Sequence, residues 1–371
     1  MVTVGQWLEL WLAMRQTLAF STRRIYAQHV RDYLQPHLGG VALRDLTTAR
    51  IQAMFVSLMR TGAVLDRPLS AATLQKIRGV LHAALNGAIR HGLVERNPAH
   101  WVELPCGRRP RAVVWTEPRV AHWRATGQRP AVAVWTPAQT AVFLQRHRER
   151  DLYPLDLLVA LLGLRRGEVA GVAVVRCGLD GGVLMVSHQV QDHNGRTVIC
   201  PPKTDSSVRV IALDHVTIAV LRRFRVTSER ILVPGLNPEG FLFVNGCGHP
   251  LSPGYVTHTF RRWVAEADLP PIRLHDLRHG AASLSLAAGN ELKTVQAMLG
   301  HSSIVLTADT YTSVLPCLAH QAAEATVGLV LRAAQHQART VGGRSCLSRR
   351  YARGTARTRT VRRSGRGRAV A

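Results

Sequence analysis

The spacing of hydrophobic positions predicts that residues 1–105 fold as a helical domain. Trp7 and Trp11 recur at an interval that places them on one side of a first α-helix, where they form part of its buried stripe. The Ser21–Thr22 pair is an N-cap for a second amphipathic helix. That helix is expected to end before Pro36, because proline interrupts helical hydrogen bonding.

Two further helices complete this predicted domain. The third begins at Thr47 or Thr48, which are N-cap residue types, and directs Ile51 inward. The fourth begins at Ser70 and ends at Gly92, because glycine adopts the left-handed conformation that commonly follows a helix.

Residues 106–135 show no such periodicity and predict a linker. Prolines interrupt the stretch and arginines dominate it, so an extended, stiffened segment is expected. The pattern leaves open whether this linker wraps around a binding partner or only tethers two domains.

A second domain is predicted over residues 136–325, mostly α-helical with a small antiparallel β-sheet, an α+β fold. Thr136 followed by Pro137 is typical of a helix start. Alternating apolar positions predict strands over 182–190, 196–200 and 207–213. The Asn194–Gly195 dipeptide between the first two strands predicts a tight hairpin. Helices are predicted over 155–164, 214–229 and 253–267.

Short helices are also predicted in the stretch from residue 273 to residue 314, with polar side chains at their ends. Gly289 and Gly300 are expected to terminate helices. His301 therefore follows a helix end, and Tyr311 lies ten residues further along the chain.

His275 and Arg278 lie one turn apart on one helical face, a spacing that suits a phosphate. Such a pair alone usually belongs to a solvated helix. His275 and His279 also have the spacing of metal ligands, but no third ligand is evident in the sequence. Only the combination of these residues with His301 and Tyr311 favours a catalytic interpretation.

The C-terminal region, assigned to residues 326–371, contains the end of a long amphipathic helix that starts after Pro316. From Arg339 onward the chain has eleven arginines and no acidic residue, so a disordered tail is predicted. Whether this tail adds affinity for a polyanionic partner or is dispensable is left open by the sequence.

The net charge of +25 over 371 residues indicates a polyanionic partner, most simply nucleic acid. Arginine carries this charge, whereas Lys76, Lys203 and Lys293 are the only lysines. Six scattered cysteines argue against a disulfide framework or a zinc ribbon and fit a cytoplasmic protein. No signal peptide is expected at the start of the chain, and the apolar run over 157–164 is too short to span a membrane.

Residues 160–315 resemble the catalytic domain of the tyrosine recombinases, the phage integrase family. The resemblance rests on the Gly-Leu-Arg-x-x-Glu segment at 163–168, on Lys203 after the hairpin, on the His-x-x-Arg pair, and on the Leu-Gly-His sequence at 299–301 followed by Tyr311. The chain departs from the family where VAVVRCGLDGG, at 172–182, replaces a tryptophan-aspartate segment.

The first domain resembles the family's core-binding domain, a SAM-like helical fold, including the exit sequence GLVERNPA at 92–99. DNA-backbone contacts are expected from residues on its polar helix faces: Arg23, Arg24, Lys76 and Arg78. Family members often carry a further arm-binding domain at the N-terminus, which is expected to be absent or truncated here.

The resemblance implies a site-specific recombinase that cuts and rejoins DNA through a 3′-phosphotyrosyl intermediate, without a cofactor or a metal. The implied catalytic residues are Arg165, Lys203, His275, Arg278, His301 and Tyr311. The implied partners are double-stranded recombination sites, three further protomers that assemble through the C-terminal helix, and accessory DNA-bending or excision factors.

Three alternatives accompany this interpretation. The sequence does not clearly distinguish an Xer-type resolvase from the integrase of a phage or mobile element. A type IB topoisomerase has similar chemistry, but the compact helical N-terminal domain and the LGHSS sequence at 299–303 argue against it. A non-catalytic DNA-binding relative is disfavoured because the set of polar residues is complete.

Overall fold

The computed structural model describes residues 1–60, 68–107, 110–193, 195–202, 205–231, 235–302 and 323–333. Its α-helices are α1 (Val4–Met14), α2 (Phe20–His29), α3 (Gln35–Leu38), α4 (Thr48–Arg60), α5 (Ala71–Arg90), α6 (Glu117–Thr126), α7 (Pro137–Arg146), α8 (Tyr153–Leu162), α9 (Arg166–Ala170), α10 (His215–Ile231), α11 (Pro253–Glu266), α12 (Leu274–Ala287) and α13 (Leu292–Leu299). Its strands are β1 (Val113–Val114), β2 (Ala133–Val134), β3 (Cys177–Gly178), β4 (Val183–Val186), β5 (Gln189–His193), β6 (Arg196–Cys200) and β7 (Arg209–Ala212). The predicted mostly helical α+β class is confirmed.

The N-terminal helices α1 to α5 enclose one hydrophobic core, to which Trp7 and Trp11 contribute as predicted. The indole N–H of Trp7 donates a hydrogen bond to the carbonyl oxygen of Ala84 on α5, at 2.8 Å. Ser70 caps α5 by accepting from the backbone N–H of Thr73, as its sequence position predicts.

The second helix differs from its prediction at both ends. It begins at Phe20 after Ala19, which provides no side-chain cap, so the Ser21–Thr22 pair lies inside the helix. It also continues past Pro36, because the segment Val30–Leu34 adopts the wider π-helical hydrogen bonding. A proline lacks an N–H, and a π segment adjusts the backbone pairing ahead of it, so the helix passes through this residue into α3.

The linker prediction is wrong for most of its length. From Val113 onward the chain forms β1, α6 and β2, and β1 pairs in parallel with β2. Trp115 and Trp135 are buried in the core of the second domain, and the indole N–H of Trp135 donates to the carbonyl oxygen of Pro270 at 2.8 Å. The proline and arginine content of this stretch predicted an extended linker. Burial of the two tryptophan side chains stabilises folded structure there despite that content.

The strand predicted over 182–190 is instead two strands that belong to different sheets. β4 pairs with β3 and β7, whereas β5 pairs with β6 in the hairpin predicted at Asn194–Gly195. Helix α9 packs against β5 just after the strands divide: a Cβ atom on Gly167 would lie 2.7 Å from the carbonyl oxygen of Val190. The alternation of apolar and polar positions is the same whether the run forms one strand or two strands with different partners. Only the tertiary packing distinguishes the two cases.

The second core is built around α8, which is buried along most of its length and packs against α12. Thr136 forms a capping box with Gln139 at the start of α7, as the Thr-Pro pair predicts. Residues 323–333 form a helical segment, part of the long helix predicted there, and its Val327, Leu329 and Val330 are exposed. Among the described residues, none of the helices is both long enough and apolar enough to cross a membrane.

Candidate active site

Arg165 lies where α8 ends and α9 begins. Gly163 closes α8 in the left-handed conformation, with φ of +66°, and Arg165 is the residue that precedes α9. Its backbone N–H donates to Oε2 of Glu168 at 2.9 Å, and its Nη1 donates to Oε1 at 2.5 Å. The Arg165 side chain is 35% exposed, so it is anchored by Glu168 and still accessible to a ligand.

Glu168 is a buried carboxylate between two guanidinium groups. Nη2 of Arg209 donates to its Oε2 at 2.9 Å, in addition to the contacts from Arg165. Burial by itself would raise the pKa of Glu168, but the hydrogen bond and charge of Arg209, with the charge of Arg165, hold that pKa at about 2. The carboxylate is therefore ionised at neutral pH.

Arg278 joins the C-terminal ends of two other helices. Arg278 lies on α12. Its Nη1 donates to the carbonyl oxygen of Gly163, at the end of α8, at 2.7 Å, and its Nη2 donates to that of Leu299, at the end of α13, at 2.5 Å. Carbonyl groups at helix C-termini carry partial negative charge, which favours a cation at this position. Arg278 is only 2% exposed. It therefore fixes the end of α8, which leads to Arg165, relative to the end of α13, which leads to His301.

His301 follows the left-handed Gly300, whose φ is +67°. Its backbone N–H donates to the carbonyl oxygen of Gln296 at 3.2 Å, and the Gln296 side-chain amide donates back to the His301 carbonyl at 3.0 Å. Burial, followed by the charges of Arg278 and Arg165, lowers the pKa of His301 to about 4. The imidazole is neutral at pH 7 and retains both a donor and an acceptor nitrogen.

His275 and His279 lie on consecutive turns of α12, with ring centroids 5.2 Å apart in an edge-to-face arrangement. Burial and the charge of Arg278 lower the pKa of His275, although the residue has an exposed surface. Burial and the proximity of His275 lower the pKa of His279 to about 4. Within the described ranges, no group of three or more His, Cys, Asp or Glu residues is arranged to hold a metal ion.

The structure thus brings together four of the six predicted catalytic residues, namely Arg165, His275, Arg278 and His301. Lys203 and Tyr311 lie outside the described residues. The cluster contains neutral imidazoles and more guanidinium groups than carboxylates. It is therefore suited to an anion that accepts several hydrogen bonds, such as a phosphodiester.

The four DNA-binding candidates lie on α2 and α5. Arg23, Arg24 and Lys76 are exposed. Arg78 is half-buried, and its Nη1 donates to the carbonyl oxygen of Val102 at 3.1 Å. This contact links α5 to the chain that leaves the domain, so Arg78 has a structural role that its sequence position did not indicate.

Arg209 is a residue of this site that the sequence motifs do not predict. The alternation in β7 buries Arg209 and Ile211 and exposes Val210. The same alternation predicted the strand, and its phase directs an arginine into the interior, where an ionised group needs a partner. That phase was the available signal for a residue that contacts Glu168.

Comparison with known protein sequences finds a phage integrase family model and relatives that are named as recombinases or integrases. The model described as the phage integrase family matches residues 139–316. A tyrosine recombinase XerC-like protein of Caldanaerobacter subterraneus subsp. tengcongensis is 25% identical over 333 residues, which cover 85% of this chain and 80% of the relative. The integrase of Mycobacterium phage L5 is 24% identical over 309 residues, which cover 81% of this chain and 73% of the phage protein.

Solved structures share the fold. The Tn1549 transposon integrase in complex with a circular intermediate DNA has a TM-score of 0.68 at 21% identity, and the match covers 88% of this chain and 100% of that chain. A lambda integrase tetramer bound to a Holliday junction has a TM-score of 0.58 at 20% identity, with 84% of this chain and 77% of that chain covered.

Proposed function

We propose a reaction for this chain from the premise that it belongs to the phage integrase family of tyrosine recombinases and is a site-specific DNA recombinase. Tyr311 is the nucleophile, and the product of the first step is a 3′-phosphotyrosyl bond. The observation that carries this proposal is the position of Arg278, whose guanidinium bonds both to Gly163, near Arg165, and to Leu299, near His301.

The first step exchanges one phosphoester bond for another. The phenolic oxygen of Tyr311 attacks the scissile phosphorus as its proton passes to His275, whose lowered pKa leaves it neutral and able to accept. The bond from phosphorus to the 5′-oxygen breaks, and Lys203 gives that oxygen a proton. A 5′-hydroxyl from a second DNA end then reverses the exchange, so no external energy source is consumed.

The remaining residues stabilise the charge that accumulates on the phosphorane. Arg165 and Arg278 bind its non-bridging oxygens, for which the planar guanidinium is suited. His301 donates a hydrogen bond to the same phosphate. These cations perform the charge neutralisation that a divalent metal performs in many nucleases.

DNA is the partner of this reaction, held between the helical domain and the catalytic domain. Arg23, Arg24 and Lys76 contact the backbone from the helical side, with Arg78 supporting them. Solved relatives include an integrase tetramer on a Holliday junction, and we extend that assembly to this chain through the exposed apolar helix at 323–333. Accessory DNA-bending or excision factors and a cytoplasmic site of action complete the proposal.

The substrate is the attachment site of a phage or mobile element. An Xer-type resolvase is the second candidate, because the XerC-like relative aligns over 85% of this chain. Short direct repeats in the DNA that flanks the gene would support an integrated element. A chromosomal dimer-resolution site without such flanking repeats would support the resolvase.

The central test is Tyr311→Phe on a nicked suicide substrate. The substitution removes one oxygen and retains the ring, so the variant should bind its site normally and form no covalent complex. Peptide mapping of the wild-type adduct should identify a 3′-linked peptide that contains Tyr311. A matched control is Tyr255→Phe, because Tyr255 is 50% exposed on α11 and lies outside the cluster. An adduct that persists in Tyr311→Phe would refute the assignment.

A further inference from the structure

Arg209 is a buried arginine that donates hydrogen bonds from all three of its side-chain nitrogens. Its side chain is 6% exposed. Nη2 donates to Oε2 of Glu168 at 2.9 Å, and Nη1 donates to Oε1 at 3.3 Å and to the carbonyl oxygen of Ser207 at 3.0 Å. Nε donates to the carbonyl oxygen of Met298 at 2.7 Å. The planar, multiply bonded guanidinium therefore fixes three chain segments relative to one another.

Two of those segments lead directly to residues of the candidate active site. Glu168 accepts from Arg209 and also accepts from the backbone N–H and the guanidinium of Arg165. Met298 lies in the last turn of α13, three residues before His301. Arg209 thus connects the segment that carries Arg165 to the segment that carries His301.

The packing around Gly300 shows how little freedom this connection has. A Cβ atom on Gly300 would lie 2.9 Å from Cδ of Arg209 and 2.9 Å from the carbonyl oxygen of Ser206. The aliphatic part of Arg209 therefore lies against the turn that leads into His301. A shift of the Arg209 side chain has to displace that turn or the Glu168 carboxylate.

We propose that Arg209 is a positioning residue for DNA cleavage, which sets the distance and orientation of Arg165 relative to His301 without contacting the reacting atoms. This inference rests on the proposed function, because the two positioned residues are those assigned to the phosphate. It adds a residue to the site that acts through Glu168 and through the end of α13.

Removal of the Arg209 charge should make cleavage sensitive to acid. Burial raises the pKa of Glu168, and in the wild-type protein the contacts with Arg209 and Arg165 together outweigh that effect. In Arg209→Met, burial is opposed only by Arg165, so the pKa of Glu168 rises. As the pH falls through this higher pKa, Glu168 takes up a proton and no longer holds Arg165 by charge. A purely structural arginine would lower the rate by the same factor at every pH.

The experiment measures single-turnover cleavage of a nicked suicide substrate by the full-length chain from pH 5 to pH 8. Arg209→Met is expected to bind the site as wild type does and to cleave about 100-fold more slowly, since small displacements of catalytic groups cost about this factor. The loss should deepen toward acid pH. Arg209→Lys, which keeps the charge but not the fork, should recover part of the rate and part of the acid tolerance.

Two further variants sharpen the test. Arg222→Met is the matched control, because Arg222 forms an exposed ion pair with Asp180 in the same domain, and its rate and pH profile should equal those of wild type. Glu168→Gln combined with Arg209→Met should cleave no more slowly than Arg209→Met at acid pH, because the titrating carboxyl is gone. If the double variant loses the product of the two rate losses measured for Arg209→Met and Glu168→Gln alone, the two residues act independently. That result would overturn a role of Arg209 through Glu168.

The possible failures are distinguishable. If wild type and Arg222→Met form no adduct at Tyr311, the proposed function fails before Arg209 is tested. If they do, and Arg209→Met cleaves at the wild-type rate or is slowed equally at all pH values, the positioning role is refuted. Thermal melting checks each fold; if Arg209→Met does not fold, Arg209→Lys decides by the same criteria.

Discussion

Gly163 and Leu299 pack so closely that a Cβ atom on Gly163 would lie 2.6 Å from Cδ2 of Leu299. The carbonyl oxygens of the same two residues accept the two hydrogen bonds from Arg278. Gly163 also has the positive φ that favours glycine. This contact therefore sets how near the end of α8 comes to the end of α13, and with them Arg165 to His301.

Gly163→Ala should reduce both stability and cleavage. The alanine methyl group requires Leu299 to move and adds backbone strain on the order of 1–3 kcal/mol. The matched control is Gly127→Ala at the end of α6, because Gly127 has a similar φ of +71° and no atom lies within 4 Å of the position that its methyl group would take.

The control should lose stability from backbone strain alone and keep its cleavage rate. Urea denaturation measures the two stabilities, and single-turnover cleavage measures the two rates. Equal stabilities and equal rates for the two variants would show that the Gly163–Leu299 contact does not align the site.

Lys203→Ala should slow cleavage and leave DNA binding nearly unchanged. Loss of a general acid typically reduces a rate by about 10²–10⁴-fold. A substrate with sulfur at the 5′-bridging position releases a leaving group that needs no proton, so it should restore the variant's rate. If the sulfur substrate is cleaved as slowly as the normal one, Lys203 positions DNA instead of protonating it.

Cleavage should persist in excess EDTA. The proposed mechanism assigns charge neutralisation to Arg165 and Arg278, which need no divalent ion. The measurement is adduct formation on the suicide substrate with and without EDTA, and a magnesium-dependent nuclease in the same buffer verifies chelation. Strict dependence on added magnesium would contradict this division of roles.

DNA binding should be accompanied by proton uptake at mildly acid pH. Burial and nearby cations hold the pKa of His301 at about 4 in the free protein, below its ordinary value of 6.5. A bound phosphate supplies negative charge that raises this pKa, so protons bind with DNA between about pH 4 and pH 6.5, and affinity increases as the pH falls through that window.

Calorimetry at pH 5.5 in two buffers of different ionisation enthalpy measures the uptake. His301→Asn should take up fewer protons than wild type. His258→Asn, on α11 outside the cluster, is the control and should retain the wild-type value. Equal uptake by His301→Asn and wild type would assign the titration to other groups.

Local signals in the sequence were sufficient for much of this protein. Ser70 and Thr136 cap the helices that they were predicted to begin, and Gly300 ends α13. β5 and β6, which flank the predicted Asn194–Gly195 turn, pair antiparallel as expected, although Asn194 itself lies outside the described residues. Each of these features depends on backbone conformations and hydrogen bonds within a few residues, which the local sequence specifies directly. The resemblance to the phage integrase family rests on the same kind of local motif.

Tertiary structure decided the features that depend on partners distant in sequence. Trp115 and Trp135 enter the second core from a stretch whose prolines and arginines predicted a linker. The run over 182–190 divides because its halves pair with different strands. Arg209 contacts Glu168 and Met298, which are 41 and 89 residues away. The free energy of burial and of a buried charge depends on what surrounds a side chain in space, and the spacing of residues along the chain does not encode those surroundings.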